Sequence, residues 1–157
     1  VSSSSCTSSS GATCRGAEMA WMWFWPMAAM FALTALVWVA LYVQRFAEMR
    51  RRRIDPQQLF NRRARVETLQ HTSAADNFNN LLELPTLFHV AMLAAMALGI
   101  VDALLQDLAF VYVGLRIAHS LIHITFNRVV HRFIAYALST FALFAIWMRL
   151  ALLAAAA

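Results

Sequence analysis

The sequence predicts an all-α integral membrane protein built as a four-helix bundle, and three observations carry that prediction. Hydrophobic residues make up 61% of the 157 residues and charged ones only 13%, about half the charged share of a soluble domain. The apolar residues gather into four long runs divided by short polar stretches, each run long enough to cross a hydrocarbon core. Polar residues inside those runs recur at helical rather than strand spacing.

Residues 1–18 read as a disordered leader or tail. Residues 1–16 are rich in Ser, Thr and Gly, too polar to pack a core, and Met19 or Met22 makes a natural start just before the first apolar run. Cys6 and Cys14 lie in this stretch, with no core to cross-link and none of the neighbours of a metal site. Residues 19–157 are expected to form a single transmembrane domain.

The first span, about residues 21–43, holds no charge and as a helix reaches about 35 Å. Trp21, Trp23 and Trp25 stand at its start, where indole rings favour the headgroup zone, and Pro26 falls in the first turns, where it is tolerated. The run is too long for a signal peptide and lacks a basic n-region. Residues 45–70 follow as a polar connection. Every basic residue of the chain is Arg, and eight of the thirteen lie between Arg45 and Arg65, which puts this loop in the cytoplasm by the positive-inside rule. With a net charge of +5, the partner implied by the cluster is a surface of anionic membrane lipids and no nucleic acid. Asp55-Pro56 has the form of an N-cap followed by a first-turn proline, so a helix is expected to begin there.

The second span, about 81–101, is interrupted by Glu83, Pro85 and His89. Gly99 to Asp102 then makes a short turn into the third span, about 104–126, and the fourth runs about 133–155. The connection between the last two carries Arg128 and Arg132, on the same side as the first Arg-rich loop. Both chain ends therefore fall on the opposite side.

The third span bears the informative pattern. At about 100° per residue, Tyr112, Arg116, His119, His123 and Asn127 share less than a quarter of the circumference. A charged Arg at the middle of a spanning helix costs roughly 2.5–3.5 kcal/mol on insertion scales, so Arg116 needs a partner from another helix. On the second helix Asp76, Asn80 and Glu83 follow i, i+4, i+7 spacing, with Asn77 at the margin, and Glu83 is the acid expected to pair with Arg116 or a histidine. On the fourth, Arg132, Tyr136 and Ser139 follow the same spacing. Three polar stripes converging on one side of the membrane point to an intramembrane site.

The segment Arg116-Ile-Ala-His119-Ser120-Leu-Ile-His123, followed by Arg128 and Arg132, resembles the third-helix signature of the MAPEG family, the membrane-associated proteins in eicosanoid and glutathione metabolism. Asn77-Phe-Asn-Asn80-Leu-Leu-Glu83-Leu-Pro85-Thr-Leu-Phe88 resembles that family's second-helix motif. The two occur in order over about residues 45–147, most like bacterial members, which implies a bacterial inner membrane. The resemblance implies a homotrimer of four-helix protomers with glutathione bound near the cytoplasmic side between neighbouring subunits. It implies a glutathione-dependent transferase or peroxidase acting on lipophilic small molecules. Arg116, His119 and Asn77 match positions that contact glutathione or organise its site, and Arg132 matches the Arg that stabilises its thiolate, with Arg128 as the alternative. Three residues depart from the pattern: His123 stands where a Tyr is common, and Asn80 takes the usual acidic position, with Glu83 displaced from it. No cysteine lies in the bundle, so the nucleophile comes from outside the protein.

Two other readings compete. His119 and His123 at i, i+4 could join His89 as haem ligands, but His89 lies about 120° from the face of Asn77, and no metal site is expected. Some relatives bind lipids without catalysis, so a non-catalytic lipid-binding or scaffold protein of the same fold is the alternative to an enzyme. Thiol-dependent turnover separates the two.

Overall fold

The computed structural model describes residues 11–54, 73–125 and 128–156, with side chains from residue 21 onward. Among the described residues four helices follow in order: α1 Gly11–Arg52, α2 Ser73–Ala97, α3 Ala103–Ile124 and α4 Val129–Ala155. Each is long and apolar enough to cross a membrane. The chain is an all-α, four-helix membrane bundle.

Several helices start or end beyond the expected spans, whereas α2 and α3 stop short of theirs, at Ala97 and Ile124. Helical backbone begins at Gly11, inside the stretch expected to be a disordered leader, because a rigid span propagates through good helix formers such as Ala17, Glu18 and Ala20. At its other end α1 continues through the start of the expected polar connection to Arg52. Arg52 donates to Glu48 one turn earlier at 3.0 Å, the favourable order of charges on a helix. Arg53 then takes a left-handed conformation, φ 52°, and the Ile54 N–H closes on the Met49 carbonyl. The helix start expected at Asp55-Pro56, and Asn127 of the third-helix stripe, lie outside the described residues.

The expected turn at Gly99 is present and its chemistry is clear. Gly99 has φ 65°, its N–H bonds the Met96 carbonyl, and the Ile100 N–H bonds Ala95, the paired hydrogen bonds of a Schellman cap. Asp102 then caps α3, its carboxylate accepting from the Leu105 N–H at 2.8 Å. The fourth helix starts at Val129, one turn before the expected boundary, since Val129 to Arg132 contain nothing that stops a helix.

Antiparallel α3 and α4 pack along their length, and α1 packs chiefly on α2. Fully buried Ala91, Ala95 and Ala109 let the backbones approach, while Met30, Phe88, Met92, Leu105 and Ile146 fill the space between them. Of the three tryptophans that open the apolar stretch of α1, Trp21 and Trp25 are exposed, as headgroup anchors are. Trp23 is instead buried and donates from Nε1 to the Ile100 carbonyl at 3.2 Å. Beside that turn Arg149 of α4 grips Asp102 with two hydrogen bonds, 3.2 Å from Nε and 2.7 Å from Nη2. This end of the bundle is pinned.

The bond from Arg149 holds the Asp102 carboxyl below its usual range, against a smaller upward push from burial and with help from the Leu105 N–H. A folded-state pKa below the unfolded value gives stability that is complete above the ordinary carboxylate pKa and is lost as pH falls through the lowered one. Asp102→Ala is expected to lower the thermal midpoint in detergent, with about 1 kcal/mol of stability lost from the cap alone. Asp102→Asn keeps the cap, and is expected to be milder and to flatten the acid limb of stability against pH. Equal midpoints for the two variants would show that the cap contributes nothing.

Candidate functional site

Polarity gathers at the other end. Asn77 on α2, Arg116, His119, Ser120 and His123 on α3, and Ser139 on α4 are all buried. Their burial follows from the helical spacing that placed them on single faces. Ser120 shares the face of Arg116, one turn on, and its hydroxyl donates to the Asn77 Oδ1 at 3.3 Å. That bond ties α2 to α3 across the bilayer interior.

Arg116 is completely buried. Its Nε donates to the Tyr112 hydroxyl at 3.2 Å, and its guanidinium carbon lies 5.5 Å from the centre of the Tyr112 ring and 5.1 Å from that of Tyr136 on α4. Each ring supplies the negative face of a π system to the cation. Tyr112 is in turn stacked on Phe88 of α2 at 4.6 Å, so the cradle is fixed from three helices. Ser139 and Thr140 both donate back to the Tyr136 carbonyl.

Beneath this cradle Arg132 joins the two histidines. Its backbone carbonyl accepts from His119 Nδ1 at 3.1 Å, and its Nη1 donates to His123 Nε2 at 3.2 Å. The rings of His119 and His123 meet edge to face, and His119 also touches Tyr136. An open cleft of about 210 Å³ lies alongside, lined by Asn80, His119, Val129, Arg132, Phe133 and Tyr136. Val129 and Phe133 are exposed at its rim.

The structure brings together Arg116, His119, His123, Asn77, Asn80 and Arg132 of the residues singled out from the sequence. It does not bring Glu83. That side chain is exposed on the far side of α2 and pairs with neither Arg116 nor a histidine. Asp76 is exposed as well. The helix buries the face of Asn77, Leu81, Pro85 and Phe88, and Glu83 falls about 240° around from Asn77. The expected counter-charge for Arg116 is therefore replaced by two aromatic faces and a phenol. Arg128 is exposed at the N-cap of α4 with no side-chain cap bond, and the cleft is lined by Arg132 instead. His89 donates from Nδ1 to the Pro85 carbonyl and does not join His119 and His123.

The tyrosine cradle and the Ser120–Asn77 bond were not anticipated. Tyr112 and Tyr136 had been placed on the polar stripes without a role, and Ser120 follows Arg116 at i+4, which is sufficient to set it on the same face. A double-mutant cycle over Asn77→Ala and Ser120→Ala, read by unfolding in detergent, is expected to return a coupling of about 0.5–1.5 kcal/mol. Strict additivity would show that the bond does not link the helices.

Five polar atoms of this cluster have no hydrogen-bond partner among the described residues: Arg116 Nη1 and Nη2, Asn77 Nδ2, His119 Nε2 and His123 Nδ1. Compared with known proteins, the chain matches the sequence model of the MAPEG family over residues 22–152, a stretch that takes in α2, α3 and the whole polar cluster. No curated protein and no solved structure matches it.

Proposed function

This chain belongs to the MAPEG family, and from that premise we propose that it is a glutathione-dependent transferase or peroxidase acting on lipophilic electrophiles within the membrane. The observation that carries the reading is the set of buried polar atoms around Arg116. Nearly all of them are hydrogen-bond donors: both Nη groups of Arg116, the Asn77 amide and, with His123 accepting at Nε2, its Nδ1–H. A buried cation among unanswered donors calls for an anion.

Glutathione answers that chemistry. Its two carboxylates suit the planar fork of an Arg, and Asn77 and Asn80 offer amides to its peptide groups. Arg132 stands at the cleft, where a guanidinium beside sulfur favours the thiolate, the form that attacks electrophiles. The rim of Val129 and Phe133 is apolar and exposed, a route for substrates dissolved in the bilayer. We place the arginine-rich end of the bundle in the cytoplasm. The homotrimer suggested by family membership would cover the face of α2 that presents Asp76 and Glu83.

Arg116→Ala is expected to weaken glutathione binding by about tenfold to a hundredfold, as loss of a charged hydrogen bond does. Arg132→Ala is expected to lower turnover of a chloro-nitrobenzene more than it lowers affinity. Titration calorimetry and a conjugation assay on detergent-purified protein measure both. Unchanged binding in a folded Arg116→Ala protein counts against the site. Binding without thiol-dependent turnover in the wild type assigns the protein to the non-catalytic members.

A further inference from the structure

Arg132 touches two histidines in two different ways, and the contacts fix where each imidazole carries its proton. A backbone carbonyl only accepts, so its 3.1 Å contact with His119 Nδ1 puts an N–H on that nitrogen. Nε2 of the neutral ring is then a bare lone pair. It is buried, it has no hydrogen-bond partner among the described residues, and the ring lines the cleft beside Arg132. His123 is the opposite case. A guanidinium only donates, so the His123 Nε2 lone pair is already engaged by Arg132 Nη1. Among the unpartnered polar atoms of the cluster, His119 Nε2 is the one acceptor.

We infer that His119 is a catalytic residue whose Nε2 takes the proton of the glutathione thiol. The inference rests on the proposed function and names the base that function needs. The S–H bond breaks, the proton goes to Nε2, and its electron pair stays on sulfur beside the Arg132 guanidinium. With an aryl chloride the thiolate then forms the carbon–sulfur bond, chloride leaves with the carbon–chlorine pair, and the imidazolium returns its proton to water.

The surroundings of this acceptor come from three helices. His119 is faced by Arg116 and His123 on its own helix, by Arg132 and Tyr136 from α4, and by Asn80 across the cleft from α2. Proton transfer from a bound thiol creates a thiolate at the same moment, so the site gains no net charge.

The test counts protons. Glutathione is added to detergent-purified protein in weak buffer, with binding followed by calorimetry, thiolate by its ultraviolet absorbance, and released protons by an indicator dye. S-methyl glutathione, which has no thiol proton, serves as the binding reference. Wild-type protein is expected to show thiolate absorbance with much less than one proton released per thiolate. In His119→Asn the amide N–H replaces Nδ1–H and no base replaces Nε2. With S-methyl glutathione titrations setting a saturating concentration for each protein, it is expected to form thiolate only with release of the proton to solvent, and to slow conjugation at saturation by roughly 100-fold. His119→Gln, with an amide near the Nε2 position, is expected to show the same loss. A full proton released per thiolate by the wild type overturns the inference without any variant, and so does a His119→Asn protein with wild-type thiolate and proton counts. Failure of the wild type to bind either peptide sinks the proposed function instead, a distinguishable result.

Discussion

The structure depends on how a single guanidinium is kept inside a membrane when the described residues bring it no carboxylate. Arg116 is wholly buried, and the described residues give it two tyrosine rings and one phenolic oxygen in place of an acid. Cation–π contacts strengthen as water is withdrawn, to about 2 kcal/mol or more each, comparable to the insertion cost of roughly 2.5–3.5 kcal/mol for Arg at a helix centre. A carboxylate would neutralise the charge. Aromatic faces stabilise it while leaving it a cation, and that difference lets the site attract an anion instead of consuming its charge internally.

The two ends of the bundle divide the work accordingly. At one end Trp23 reaches the turn between α2 and α3, and Arg149 grips Asp102, so the helices are fixed by groups whose hydrogen bonds are made within the protomer. At the other end Asn77, Arg116 and the histidines retain buried polar atoms with hydrogen-bonding capacity to spare. Such capacity is destabilising unless the rest of the fold holds it in place. The pinned end and the Ser120–Asn77 bond supply that restraint, and the aromatic stack of Phe88, Tyr112 and Arg116 passes it from helix to helix.

Most of the fold was legible because it follows from composition and period. Four spans, the turn at Gly99 and the clustering of Arg116, His119 and His123 needed only apolar run length and about 100° of rotation per residue. Boundaries were harder: apolar runs mark the hydrocarbon core, whereas helices continue into headgroups wherever the residues permit, as α1 does to Arg52. Glu83 was misjudged for a related reason. Spacing tells which residues share a face but not which face turns inward, and on α2 the deciding residues were Leu81, Pro85 and Phe88 rather than the charged ones. The tyrosine cradle was hidden more deeply, since an Arg between rings on two helices leaves no charge pattern to read. Ser120 was available from the i+4 rule alone.

What distinguishes Arg132 is that one residue acts through both its backbone and its side chain. Its carbonyl sets the tautomer of His119, its guanidinium occupies the lone pair of His123, and it also lines the cleft. Two histidines a turn apart are thereby made chemically unequal, one presenting a lone pair and the other an N–H. Their sequence positions are nearly equivalent, and the asymmetry comes entirely from the helix packed against them. Substituting the Arg132 side chain removes the contact to His123 and leaves the one to His119, because the carbonyl belongs to the backbone of α4. The tautomer of His119 therefore depends on the seating of α4 against α3, so a packing change remote from any reacting atom is able to alter the acid–base character of the site.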